Sequence, residues 1–135
     1  MQKFLTLDFL PRSTDLALLT LRVWLGAAML YLHGWGKLMG LIAGTAKFPD
    51  LFGIGGTPVL VMAIFTEVIC AAALVIGLWT RMAALFLVAT MGVAFFMAHG
   101  AKLSGEGNGE MAFIYLAGYV VILVAGAGKF SVDKK

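Results

Sequence analysis

Four apolar runs, each close to the length that crosses a lipid bilayer, most constrain what this chain can fold into. They cover residues 16–38, 58–79, 82–98 and 111–128, and the only acidic or basic side chains that interrupt them are Arg22, His33, Lys37 and Glu67. A spanning helix needs about 20 mostly apolar residues. The chain is 61% hydrophobic and 13% charged, whereas about a quarter of the residues in soluble domains are charged. A water-soluble fold of this size could not bury so much apolar surface, so the sequence predicts an integral membrane protein in a lipid bilayer.

The spacing of the runs predicts an all-α fold, a single domain over residues 1–135. We expect transmembrane helices over about 15–39, 57–78, 81–101 and 110–128. Because the connections are short, neighbouring helices should pack as an antiparallel four-helix bundle. The first ten residues are apolar with two charges and end at Pro11, which is typical either of a short helix on the membrane surface or of a frayed terminus.

The longest connection, residues 40–57, is unusual in composition. It is too rich in glycine to form a helix throughout, yet it is more apolar than a plain solvated loop, with Phe52 and Ile54 among its residues. We expect it to lie in the membrane interface or to cap one end of the bundle.

The basic residues are distributed unequally between the two ends of the predicted helices. One side would hold Lys3, Arg12, Arg81, Lys129, Lys134 and Lys135, and the other would hold Lys37, Lys47 and Lys102. Because Lys and Arg concentrate on the cytoplasmic side, six against three predicts that both termini are cytoplasmic. The basic residues are dispersed along membrane boundaries, so the sequence gives no support for nucleic-acid binding.

The two histidines of the chain occupy similar positions. LHGWGKLMG contains His33 and AHGAKLSG contains His99, each a His-Gly pair at the end of an apolar run, followed by Lys-Leu, one residue and Gly. The first and third helices of such a bundle run in the same direction. Both histidines should therefore lie near the outer ends of their helices, where Glu110 opens the fourth helix.

The first helix carries a basic stripe. At about 100° per residue, Arg22, Gly26, His33 and Lys37 fall within a sector about 60° wide. Ionisable groups at membrane depth usually face the bundle interior and pair. Glu67 is the only acid deep in a span, so it is the expected partner of Arg22, His33 or Lys37, and the sequence leaves open which one.

These residues predict a polar pocket toward the outer side of the membrane, which would be the periplasmic side in a bacterium. Histidine exchanges protons near neutral pH, which suits a site that hydrogen-bonds a quinone and transfers protons to and from it. The candidate catalytic residues are Glu67, His33, His99 and Lys37. The candidate ligand-binding residues are Arg22, Trp35, Glu110, Tyr115 and Tyr119.

Two other interpretations of the same residues stay open. The polar groups could form a buried network that only fixes how the helices pack. Alternatively, His33 and His99 could bind haem b axially or a transition metal, although the chain has no C-x-x-C-H motif for covalent haem attachment. Small residues on the later helices, such as Ala71 and Gly118, favour close helix packing and are compatible with a homo-oligomer or a partner subunit.

Several segments together resemble one family. These are LRVWLGAAMLYLHGWGKLMG, the glutamate of the second run with the later GLWTRMAAL, an acid opening the fourth helix, and the final GAGKFSVD. In this order and spacing they resemble the DoxX family of small bacterial membrane proteins, from about residue 18 to residue 133. The family's usual marks correspond to Arg22, Gly26, Gly34, Lys37, Glu67, Gly77, Arg81, Gly126, Gly128, Ser131 and Asp133. Ala127 departs from the pattern, since many members have proline there.

The resemblance implies a four-helix protein of the bacterial inner membrane. Members of the family are linked to redox and oxidative-stress systems, and the name comes from a subunit of a thiosulfate:quinone oxidoreductase. We therefore expect a membrane subunit of a quinone-linked redox system with a redox partner subunit. The alternative is a non-enzymatic protein, either a partner-binding chaperone or a carrier of small molecules.

Overall fold

The computed structural model describes residues 1–134 and contains five helices in that range. They are α1 (Gln2–Leu5), α2 (Thr14–Ala43), α3 (Gly56–Ile76), α4 (Thr80–Ala98) and α5 (Glu110–Ala125). The helices α2, α3 and α4 are long and apolar enough to cross a membrane, and α5 is a shorter apolar helix of the same character. The prediction of an all-α membrane protein is confirmed.

The helices end where the backbone can turn, which explains small differences from the predicted bounds. Ser13 caps the start of α2, since its side chain accepts a hydrogen bond from the Leu16 N–H, and Gly44, with φ of 70°, follows the last residue of the helix. Helix α5 stops at Ala125, three residues before the predicted end, because Gly126 adopts φ of 85° and ψ of −164°. Only glycine takes up this conformation readily.

The four long helices form an antiparallel bundle. The first half of α2 packs against the last turns of α3, α3 packs against α4, α4 lies along α5, and α5 returns to α2. Small residues at the shared core, among them Ala71 and Ala84, are fully buried, so the backbones approach closely. The free thiol of Cys70 lies in this core, as expected of a small apolar filler. Many large apolar side chains point outward, as a lipid-facing surface requires.

The C-terminal segment after α5 closes one end of the bundle. The backbone N–H groups of Val132 and Asp133 donate to the carbonyls of Ile76 and Gly77 at the end of α3. The carboxylate of Asp133 then accepts the N–H groups of Trp79 and Thr80 at 2.9 and 2.8 Å, which caps the start of α4. The tail therefore joins the α3–α4 turn to the rest of the bundle.

Candidate functional site

An ion pair between α2 and α3 lies at the centre of the candidate site. Lys37 Nζ donates to Glu67 Oε2 at 2.5 Å, and the two side chains are 25% and 7% exposed. Glu67 is the twelfth residue of the 21-residue α3, so its carboxylate lies about halfway along that helix. Of the three basic partners that the sequence left open for Glu67, Lys37 makes the direct contact.

Gly34 brings the two helices together at this point. A Cβ atom added to Gly34 would lie 2.5 Å from the carbonyl oxygen of Glu67 and 2.9 Å from Val68 Cγ2. The missing side chain thus lets α2 rest directly on the backbone of Glu67, one helical turn before Lys37. This close approach places the ammonium group within reach of the carboxylate.

Gly34→Ala should weaken this crossing. The added methyl group must push the Glu67 backbone away, and overpacking of this kind costs about 1–3 kcal/mol. Gly36→Ala is the matched control, because nothing lies within 4 Å of the position that its Cβ would occupy, and alanine is the better helix former. Thermal unfolding followed by circular dichroism in detergent should give a lower midpoint for Gly34→Ala only. Equal midpoints would show that the crossing does not depend on Gly34.

Three π-helical turns coincide with the candidate residues. They are Leu30–Gly34 in α2, Phe65–Cys70 in α3 and Ala94–Ala98 in α4. His33 lies in the first of them, Glu67 lies in the second, and His99 follows the third. The first two turns contact each other. Such turns are rare and occur frequently at functional sites. The prediction that both histidines lie at helix ends is wrong for His33, because α2 continues beyond it to Ala43, whereas His99 directly follows the end of α4.

A cavity of about 480 Å³ opens beside the ion pair, between α3 and α4. Lys37, Glu67 and His99 are its ionisable lining residues, and most of the remaining lining is apolar. The hydroxyl groups of Thr66 and Thr90 also line it, and they are joined by a hydrogen bond of 2.9 Å across the two helices. The cavity therefore combines apolar walls with a few polar groups, as small-molecule sites commonly do.

The connection between α2 and α3, residues 44–55, covers the cavity, and we call it the cap loop. Phe48, Pro49, Leu51 and Phe52 of this loop line the cavity, and the Phe48 ring centroid lies 6.0 Å from Lys37 Nζ. These residues are not among those that the sequence predicts for the site, although the apolar composition of the segment indicates a capping role.

The carboxylate of Asp50 holds the end of the cap loop. Asp50 Oδ1 accepts the Ile54 N–H at 2.9 Å. Hydrogen bonding from the backbone N–H of Gly55, with further N–H groups of residues 52–54, lowers the pKa of Asp50 below its ordinary value of 3.8. The ionised carboxylate thus gathers the backbone of the loop on its exposed side, while the aromatic and apolar side chains face the cavity.

The order of the cap loop should therefore depend on ionised Asp50. Because the pKa of Asp50 is lower in the folded protein, ionised Asp50 stabilises the folded loop. This stabilisation is present above the ordinary aspartate pKa and is lost as the pH falls through the lowered folded value. Asp50→Ala should remove it at neutral pH and increase hydrogen–deuterium exchange of the amides of residues 52–55. Lys47→Ala, at an exposed position of the same loop, should leave these amides protected. Unchanged exchange in Asp50→Ala would contradict this account.

His33, Tyr115 and Tyr119 form an aromatic cluster next to the ion pair. The His33 ring meets the Tyr115 ring edge-on with centroids 5.6 Å apart, and Tyr115 stacks on Tyr119 at 5.9 Å. The Tyr119 hydroxyl donates to the Leu25 carbonyl at 3.4 Å. His33 lies within electrostatic range of both Glu67 and Lys37. The cluster adjoins the ion pair, but its three residues do not line the cavity.

The structure places the other predicted site residues elsewhere. Arg22 is fully buried toward the C-terminal end of α3, where its guanidinium donates to the carbonyls of Leu74, Val75 and Phe130. Trp35 is 51% exposed on the bundle surface, and Glu110 is exposed at the start of α5. None of these three lines the cavity. The buried basic stripe on α2 is thus divided between two separate places.

The two histidines do not share the cavity either. His99 lines it, whereas His33 packs against Tyr115. Within residues 1–134 there is no group of three or more His, Cys, Asp or Glu side chains placed to hold a metal ion. The arrangement does not assemble a bis-histidine haem or metal site around the cavity.

The fold and this site define a class: a small multi-pass membrane protein with a buried ion pair beside an apolar cavity. Residues 17–100 match the DoxX family, and the chain belongs to that family. It is similar to an uncharacterized protein of Haemophilus influenzae, with 32% identity over 72% of this chain and 81% of the relative. No solved structure matches the chain. The matched region contains Lys37, Glu67 and His99 as well as the whole cap loop.

Proposed function

We propose that this protein is a membrane subunit of a quinone-linked redox system and that the cavity binds the quinone ring. The observation that carries the proposal is the cavity itself, about 480 Å³ in volume, mostly apolar, with an ion pair and a histidine in its lining. A quinone is an apolar ring with two oxygen atoms that form hydrogen bonds and exchange protons, so its chemistry is complementary to such a lining.

The proposal assigns roles to the three ionisable residues of the cavity. Lys37 donates a hydrogen bond to a ligand oxygen while it remains paired with Glu67. Glu67 and His99 accept or return protons when the ring changes its redox state. His33 lies behind the ion pair and, with Tyr115, offers a path along which a proton can leave the site. Arg22, Trp35 and Glu110 lie outside the cavity and are not assigned to ligand binding.

The first test is to purify the protein gently and ask what comes with it. We expect lipid extraction and mass spectrometry to find a quinone that Ala63→Phe no longer retains, because the added ring would fill the cavity that Ala63 lines. Ala72→Phe is the matched control, since Ala72 is exposed on the same helix and lies away from the cavity.

Three other results would point elsewhere. Equal retention in both variants would separate the quinone from the cavity and contradict the proposal. A haem absorption band that is lost in His33→Ala and His99→Ala would favour haem binding. A stable partner that co-purifies with neither quinone nor chromophore would favour a partner-binding chaperone instead.

We also propose that the cap loop faces the periplasm and that both termini are cytoplasmic in the bacterial inner membrane. The ion pair to Glu67 removes Lys37 from the loops whose charges set orientation, which increases the excess of basic residues on the side of the termini. Lys47→Cys, made in a Cys70→Ala background, should react with a membrane-impermeant thiol reagent added to intact spheroplasts. Labelling only after membrane rupture would invert the topology.

A further inference from the structure

We infer that the cavity distinguishes the two redox states of its ligand and binds the hydroquinone form in preference to the quinone. The inference rests on the proposed function and names which form of the ring the site fits. It follows from the hydrogen bond that fixes the His99 ring, an observation independent of the presence of the cavity.

One nitrogen of the His99 ring is already committed. His99 Nδ1 lies 2.6 Å from the carbonyl oxygen of Ala94, which also accepts the backbone N–H of His99 at 3.1 Å. A carbonyl oxygen only accepts, so Nδ1 must carry the hydrogen atom. The π-helical turn over Ala94–Ala98 produces this arrangement, because its hydrogen bonds span five residues.

The remaining nitrogen is therefore an acceptor. A neutral imidazole carries one N–H group, and with Nδ1 protonated the free nitrogen is Nε2 with its lone pair. Gly109 packs against the base of this side chain, since a Cβ atom added there would lie 3.0 Å from His99 Cβ and 3.4 Å from Cγ. His99 lines the cavity, and because Nδ1 is already bonded, Nε2 is the ring nitrogen that remains for a ligand there.

The Lys37–Glu67 ion pair, which is the other polar part of the cavity, can bind either redox form of the ligand. Lys37 offers N–H donors, and the carboxylate of Glu67 has a second oxygen that accepts hydrogen bonds. The ion pair therefore binds a carbonyl or a hydroxyl equally well. Selection falls to His99, where a hydroquinone O–H donates to Nε2 but a quinone carbonyl would meet one lone pair with another.

The test compares durohydroquinone, duroquinone and the dimethyl ether of durohydroquinone, which keeps the ring but has no O–H group. Binding is measured by anaerobic equilibrium dialysis against protein in lipid nanodiscs, with empty nanodiscs subtracted, in mildly alkaline buffer. One hydrogen bond and the avoided repulsion should make the hydroquinone bind about fivefold to tenfold more tightly than the other two.

Variants assign the preference to His99. His99→Ala should bring the hydroquinone-to-quinone ratio close to one, whereas Met97→Ala should keep it, since Met97 is exposed in the same turn and does not line the cavity. Equal affinities in the unaltered protein, or tighter binding of the quinone, would overturn the inference and leave the proposed function standing. An unchanged ratio in His99→Ala would overturn the assignment to His99. If none of the three rings binds, the proposed function fails as well.

Discussion

Glu67→Ala should destabilise the protein by about 2 kcal/mol, the larger part of which comes from the charge that it leaves behind. Removing one member of a fully buried ion pair costs about 3–5 kcal/mol. The cost here should be lower because Lys37 is 25% exposed and its long side chain can turn its ammonium group toward water. Glu67→Gln should cost less than Glu67→Ala, since the amide oxygen still accepts a hydrogen bond from Lys37.

A double variant separates the charge effect from simple loss of packing. Glu67→Ala combined with Lys37→Met removes both charges and should recover part of the stability lost in Glu67→Ala. The free energy of unfolding is measured for the unaltered protein, Glu67→Ala, Lys37→Met and the double variant. Each is unfolded by heat or denaturant in the same detergent and followed by circular dichroism. If the losses from the two single variants simply add, the two residues do not interact, and the ion pair cannot be what joins α2 to α3 at the cavity.

The helical framework was accessible from sequence because it depends on the lengths of the apolar runs. Each run is bounded by charged or glycine-rich residues, and the number of spans and their antiparallel order follow directly. The exact ends of the helices were harder to predict from the sequence. Gly126, for example, is apolar and continues the run, but its φ of 85° ends the helix. Hydropathy reports burial in lipid and not backbone conformation.

Only part of the candidate site could be predicted from the sequence, and the placement of Arg22 shows why. A helical wheel gives the angle of a side chain around the axis, and it correctly directs Arg22, His33 and Lys37 toward the bundle. It does not give the position of a side chain along the helix axis, and Arg22 precedes Lys37 by 15 residues, about 22 Å along a helix. Which base reaches Glu67 is decided by the crossing at Gly34, and the π-helical turns that adjust this register have no simple sequence pattern.

The cap loop shows a different limit of prediction from the sequence. Its composition indicated that it would not be an ordinary solvated loop, but not which of its side chains would face the cavity. That choice depends on Asp50, whose carboxylate binds the backbone of residues 52–55, and on the contact of Gly56 with the carbonyl of Phe48. Both are contacts between residues that the chain brings together only when the loop has folded.

Arg22→Met should destabilise the protein by about 3 kcal/mol and release the C-terminal tail. Arg22 Nη1 donates to Leu74 O at 2.9 Å and Val75 O at 3.3 Å, and Nη2 donates to Phe130 O at 2.5 Å. Both of the first two acceptors lie in the last turn of α3, where Leu74 O also accepts the Gly77 N–H at 3.2 Å. Methionine fills a similar volume but leaves Val75 O and Phe130 O without the guanidinium donor, each costing about 1–2 kcal/mol.

The expected signature is local as well as global. Since Phe130 belongs to the tail that closes the α3–α4 turn, residues 126–134 should become sensitive to carboxypeptidase in Arg22→Met at temperatures where the helices remain folded. Arg22→Lys should be nearly as sensitive, because a single ammonium group cannot reach acceptors on two elements as the forked guanidinium does. Arg81→Met is the matched control: its Nε donates to Leu123 O from an exposed side chain, and such a change should cost no more than about 0.5 kcal/mol. If the tail stayed protected in Arg22→Met, the hydrogen bonds of Lys129, Val132 and Asp133 would be sufficient to hold it. Closure of this end of the bundle would then not explain the buried arginine.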